Sequence, residues 1–285
     1  MQLKSLIKIV FFILIIVFRN STLCYSQNKF ERKMTLQLNS LSYSFSMTDK
    51  NILLYPNDVS QGIMVPSGWG GNGTYLFGYA GGAFPEVYTK AKLDMIAAAG
   101  ICFGNSEKFL NFAATINMGS LRRVTDFSAN VSISKSFSGG TSSMTAGGIQ
   151  LFAGSASDAP EPTFFIAFSH AIQGLPSKTP GCSKLSYTIG IGNGRFLTKS
   201  GADITAGKGK YGTAIFAGIS YEVLQHVNLN VEWSGMNLAI SAGVRPFKNY
   251  LSFNIGVNDI TSLSSNKPNL IFSLGYPLSL NRNKF

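Results

Sequence analysis

The stretch HVNLNVEWSGMNLAISAGVR, His226–Arg245, decides the fold. Val227, Leu229, Val231 and Trp233 alternate in it with Asn228, Asn230, Glu232 and Ser234. After Gly235-Met236, Leu238, Ile240, Ala242 and Val244 alternate with Asn237, Ala239, Ser241 and Gly243. A period of two gives each run one apolar and one polar face, as a β-strand requires. Folding at Gly235-Met236 sets Val227 against Val244, Leu229 against Ala242, Val231 against Ile240 and Trp233 against Leu238. Every apolar residue then shares one face, and a slip of one residue destroys the match. Leu251, Phe253, Ile255 and Val257 continue the pattern against Ser252, Asn254, Gly256 and Asn258. The expected third-strand partners are Val244 with Leu251, Ala242 with Phe253 and Ile240 with Ile255.

The polar face holds Asn, Ser, Gly and Ala rather than a dense set of charges. That composition suits a lumen, with the apolar face turned to lipid. His226, Asn228, Asn230, Glu232, Arg245, Asn254 and Asn258 are the expected lumen-facing residues of these three strands. Glu232 would there be a fixed negative charge that attracts permeating cations.

Working outward, the N-terminus reads as a signal peptide. Lys4 and Lys8 precede the apolar run Ile9–Phe18, which is too short to span a bilayer and ends at Arg19-Asn20, with cleavage expected after Ser26. No later stretch approaches eighteen apolar residues, yet 45% of the 285 residues are hydrophobic and 13% charged. An exported chain this apolar, without a spanning helix, points to a closed barrel, which also satisfies its backbone inside a bilayer. The leader carries Lys4, Lys8 and Arg19, so the mature chain keeps 21 of 24 basic residues against 13 acidic ones, a net charge of +8. Of its three cysteines Cys24 leaves with the leader, and Cys102 and Cys182 make no disulfide framework.

From Tyr75 onward twelve alternating runs follow at hairpin spacing, an even number as expected of a bacterial barrel, with fourteen as the alternative if residues 27–74 supply a pair. Residues 27–74 contain Gly62-Ile63-Met64-Val65-Pro66-Ser67 and then Gly68, Gly70, Gly71 and Gly73, a density that reads as loop. Three roles stand open for this segment: threading the lumen as a plug, capping its mouth, or adding strands. With both termini in the periplasm, the external loops include Gly119–Thr125, Phe196–Lys210 and Asp259–Pro268. Arg122, Arg123, Arg195, Lys199, Lys208, Lys210 and Lys267 then form a basic outer rim suited to anionic glycolipid headgroups. Tyr211 and Trp233 would sit at the outer interface, and Tyr221, Phe247, Tyr250 and Tyr276 at the inner one.

This pattern resembles the outer-membrane β-barrel proteins of Gram-negative bacteria, over residues 75–280. The Gly62–Ser67 segment resembles the lead-in segment of exopolysaccharide-associated barrels, and the terminal Phe285 resembles the aromatic such barrels use in assembly. The resemblance implies an all-β, closed antiparallel transmembrane barrel in the cell outer membrane. Its implied partners are outer-membrane lipid and lipopolysaccharide, the barrel assembly machinery, and a surface polysaccharide or secretion partner, with no nucleic acid.

Motifs for catalysis are weak. Gly190-x-Gly192-x-Gly194 has no helix after it, and Gly207-Lys208-Gly209-Lys210 fails the phosphate-loop pattern. Some outer-membrane barrels are lipid hydrolases with a serine and a histidine facing lipid, but the two histidines, His170 and His226, have no matching serine spacing. His170 shares parity with outward Phe164, Ile166 and Phe168, and His226 faces Arg245 at the lumen rim. No catalytic residue, metal or cofactor is expected. The sequence therefore points to a porin-like, narrow or plugged transport pore, with a non-conducting binding scaffold and a lipid-acting enzyme as alternatives.

Overall fold

The computed structural model describes residues 53–85, 93–121, 124–154, 161–246, 251–264 and 267–280. The leader, residues 27–52, and the expected site or belt residues Arg122, Arg123, Phe247 and Tyr250 lie outside these. Fourteen strands are present among the described residues. Two are short: β1 (Tyr55–Pro56) pairs in parallel with β8 (Cys182–Ser183). The other twelve are β2 (Tyr75–Phe84), β3 (Asp94–Gly104), β4 (Asn111–Ser120), β5 (Thr125–Phe137), β6 (Ser142–Leu151), β7 (Thr163–Ala171), β9 (Leu185–Gly192), β10 (Ile215–Leu224), β11 (Val227–Trp233), β12 (Leu238–Val244), β13 (Ser252–Asn258) and β14 (Asn269–Ser279). They run antiparallel, and the ring closes where β14 pairs with β2 and β9 with β10. The count is twelve, so residues 53–74 add no strand to the wall. No helix among the described residues is long and apolar enough to cross a membrane.

Alternation decides which face is inside, and the structure shows the inverted arrangement. Asn228, Asn230 and Glu232 are 0% exposed, whereas Leu229, Val231 and Ile240 between and opposite them are 39–43% exposed. An outward apolar band over a polar interior is how a barrel meets lipid on one side and its own lumen on the other. Closure pairs the edge strands, so no ladder is left open to the surroundings.

The β11–β12 hairpin has the register read from the sequence, Val227 to Val244 through Trp233 to Leu238. The next pair differs: Val244 faces Phe253, Ala242 faces Ile255 and Ile240 faces Val257, two residues on from the expected partners. A shift of two leaves every side chain on its face. The alternation fixes register only to within an even number, and the β12–β13 connection decides the rest.

All the described strands place Tyr75 and Ser279 at one end of the barrel, called here the near end, with Trp233 and Leu238 at the far end. Tyr221 and Tyr276 lie exposed toward the near end, and Tyr211 is exposed in the far-end β9–β10 connection rather than in a strand.

Candidate functional site: a segment inside the barrel

Residues 53–74 enter the lumen at the near end, climb it, turn and descend to Tyr75. The rising arm is tied down by side-chain amides. Leu54 N–H donates to Gln173 Oε1 at 2.9 Å while Gln173 Nε2 donates to the Leu54 carbonyl at 2.8 Å. Asn57 and Asn228 exchange amide hydrogen bonds of 3.2 and 2.8 Å, and Asn230 Nδ2 donates to the Ser60 carbonyl at 3.4 Å. The arm thus climbs the polar face of β11 one inward residue at a time, from Asn228 to Asn230 to Glu232.

At the top of the climb the Glu232 carboxylate accepts three backbone N–H groups, from Ile63 at 2.9 Å and from Met64 and Val65 at 3.0 Å each. A carboxylate has about four lone-pair sites and no donor, so it suits a turn whose successive amides converge. Gly62 is needed for the approach: a Cβ there would stand 2.3 Å from Glu232 Oε1. Glu232 is therefore on the lumen side, but its charge is turned into the segment rather than offered to passing ions.

The falling arm moves round the wall to β6 and β7. Gly68 N–H donates to Ser169 Oγ at 2.8 Å, and Thr145 Oγ1 donates to the Gly68 carbonyl at 2.9 Å. Trp69 Nε1 donates to Gln61 Oε1 at 2.8 Å and so ties the two arms together. Asn72 Oδ1 accepts from the Ser106 amide and hydroxyl at 3.0 and 2.9 Å, ending the descent at the near end. At that mouth Asp58 on the rising arm meets both rim residues of the wall, Arg245 Nη1 at 2.5 Å and His226 Nδ1 at 3.8 Å. Asn254 donates to Ser273 Oγ at 3.1 Å, and the Asn258 Oδ1 is buried without a hydrogen-bond partner among the described residues.

The far side of the segment meets an apolar cluster that the sequence reading, with its lumen of small polar groups, does not contain. Phe165, Ala167, Phe196 and Phe216 pack together with Val65 of the turn and Ile149. The Phe196 and Phe216 rings are 4.4 Å apart, and Phe165 meets Phe216 edge-on at 6.4 Å. Phe196 reaches inward because Gly194–Phe196 forms a 3-10 turn just after β9. Gly190 and Gly192 leave room for the rings: a Cβ would stand 2.2 Å from Phe216 Cζ and 2.6 Å from Phe196 Cδ2 respectively. A signal was present, since Phe165 and Phe216 both occupy the polar phase of their strands.

The expected basic rim is partly spent on structure. Lys199 Nζ donates to the carbonyls of Lys208 and Leu263 at 2.7 and 3.0 Å, and Lys208 Nζ to those of Ser262 and Ser264 at 3.2 and 3.3 Å. These two lysines hold the β9–β10 connection, with its short helix α1 (Gly201–Thr205), to the β13–β14 connection. Lys210 lies over the Tyr211 ring at 5.2 Å, and Lys267 follows in the β13–β14 connection. Arg195 is drawn in: burial lowers its guanidinium from the ordinary value, while Tyr79 and Glu232 raise it.

Folding also joins two residues far apart in sequence. Ser142 and His170 face each other across β6 and β7, with Ser142 Oγ 2.8 Å from His170 Nδ1, on the outward face near the near end. Ser142 is 8% exposed, and no carboxylate contacts His170 among the described residues. No group of His, Cys, Asp and Glu among the described residues has the makings of a metal site.

No protein-family model matches the chain. No curated protein matches it either. Among solved structures it is similar to outer membrane phospholipase A from Escherichia coli, with 8% identity and a TM-score of 0.37, covering 82% of this chain and 95% of that one. It is also similar to a structure described as "Asymmetric conductivity of engineered proteins", with 11% identity and a TM-score of 0.30, covering 72% of this chain and 99% of that one.

Proposed function

We propose that this chain is a non-enzymatic outer-membrane barrel whose lumen is a passage for small solutes, narrowed at rest by its own residues 53–74. The observation that carries the reading is the hold of Glu232 on the Ile63, Met64 and Val65 amides inside the lumen. A loop used only to fill a scaffold would be served by apolar packing. Here, beside the packing of Val65 on the phenylalanine cluster, it is held by polar contacts, each worth about 0.5–3 kcal/mol net and separately breakable. The apolar outer band supports placement in lipid. The near end, where residues 53–74 enter the lumen, would face the periplasm.

The test is single-channel conductance of the purified barrel and of a variant in which Asn57–Gly71 is replaced by a Gly-Ser linker. Weak conductance that rises several-fold on replacement supports a plugged passage. Equal conductance of both forms means an open pore, and silence of both moves the function to a scaffold that binds a surface polysaccharide or a secretion partner.

A further inference from the structure

The segment does not fill the lumen evenly. On the β7–β12 side the inward residues Ser169, Ser186, Ser220, Asn230 and Ser241 are buried beneath it. On the β2–β5 side the inward residues Tyr79, Thr115, Asn117, Ser128 and Asn130 remain half-exposed, although they face the lumen. They form a hydrogen-bonded polar strip, with Tyr79 Oη donating to Asn117 Oδ1 at 2.9 Å and Asn117 Nδ2 donating to Asn130 Oδ1 at 2.9 Å.

Below this strip lie two cavities. One of about 330 Å³ sits between the falling arm and the wall at Phe77, Asn111 and Ser134. The other, of about 470 Å³, opens between the arms and the near-end rim at Asp58, Arg245 and Pro277. Ser67 and Trp69 line both, so the indole and the serine hydroxyl stand between them.

Two charged side chains, Asp58 and Arg245, stand among the otherwise uncharged lining of the two cavities. Asp58 and Arg245 pair with each other at 2.5 Å. The Glu232 carboxylate is directed at three amides. An ion that sheds its hydration shell beside Trp69 finds no fixed counter-charge to replace it, whereas a neutral solute exchanges water for hydroxyl and amide contacts.

We propose that small uncharged solutes bearing hydroxyl or amide groups pass between the two cavities beside Trp69, that ions are held back there, and that the indole sets the size limit. This rests on the reading of the lumen as a passage, and the experiment separates the two.

Proteoliposomes carrying the full chain, Trp69→Ala, Ser67→Phe or the Gly-Ser linker variant are assayed by light scattering with glycerol, erythritol and sorbitol, and by potassium chloride conductance. Each protein is first checked for barrel folding by circular dichroism. The full chain is expected to pass glycerol faster than protein-free vesicles while conducting weakly. Trp69→Ala is expected to admit sorbitol several-fold faster, and Ser67→Phe to slow glycerol several-fold. If the linker variant passes solutes while Trp69→Ala and Ser67→Phe leave polyol flux unchanged, the route beside Trp69 is wrong. If the full chain passes potassium chloride as readily as glycerol, the exclusion of ions is wrong. If no form passes any solute, the passage reading itself falls.

Discussion

Replacing Glu232 by Gln removes the smallest part of the structure on which the narrowed state depends. The carboxylate accepts N–H groups from Ile63, Met64 and Val65, with Met64 and Val65 on Oε1 and Ile63 on Oε2. A glutamine oxygen can keep the first two, but its NH₂ then points a donor at the Ile63 donor. The substitution thus loses one charge-assisted hydrogen bond and leaves a buried N–H unpaired, a cost of roughly 2–4 kcal/mol. At 1.4 kcal/mol per factor of ten, this raises the population of the released turn about 30- to 700-fold. Hydrogen exchange followed by mass spectrometry reads that population directly, because the amides of residues 63–65 exchange only when the turn lets go. Exchange of a peptide spanning these residues should accelerate by that factor, while the β11 and β12 ladder amides change by no more than a few-fold. Gly62→Ala, whose Cβ collides with the Glu232 carboxyl, should do the same. Unchanged exchange at 63–65 in Glu232→Gln would refute the clasp, and equal acceleration in the strands would mean that Glu232 supports the wall instead.

Three further outcomes follow. Val131→Arg, on the outward face in the middle of β5, should destabilise the barrel by roughly 2–4 kcal/mol in a bilayer unfolding assay, and Thr115→Arg, facing the open side of the lumen, much less; the reverse order would place the apolar face inside. Cysteines at Val244 and Phe253 should crosslink on mild oxidation and cysteines at Val244 and Leu251 should not, and the opposite result would restore the register expected from alternation alone. The Cys182 thiol at the near end is raised above its ordinary value by burial and by the nearby negative charges of Asp58 and Glu222, so less thiolate is present at a given pH. Its alkylation should be slower at pH 8 than that of an exposed cysteine and should speed up in Asp58→Asn; insensitivity to that change would remove Asp58 from its surroundings.

Much of the wall was legible because a barrel strand repeats one decision at every second residue. Val231 and Asn230 differ so strongly in what they must contact that their faces follow from identity alone, and the first hairpin inherits its register from a two-residue turn. The β12–β13 register was not legible, since a shift from Leu251 to Phe253 opposite Val244 changes no face. The inward Phe165 and Phe216 break the polar phase and invite a partner, but that partner, Phe196, lies in a connection with no periodicity to read. The hold on the segment was hidden for another reason. Its donors are the backbone amides of Ile63, Met64 and Val65, which carry no side-chain signature, and Glu232 is 167 to 169 residues away. Only the isolated acid among Asn and Ser on that face, and the glycine density around Gly62–Gly73, marked the two halves of the contact.

Fastening the Ile63–Val65 turn in place shows whether it narrows the lumen. A Cβ at Gly218 would lie 3.4 Å from Val65 Cγ2, so a Val65→Cys, Gly218→Cys pair can bridge the turn to β10 within the lumen. Combined with Glu232→Ala, this pair should give a barrel that conducts weakly while oxidised and several-fold more strongly once the disulfide is reduced. A bridge that forms, as shown by mass spectrometry, yet leaves the conductance the same in both redox states would mean that the turn does not narrow the lumen.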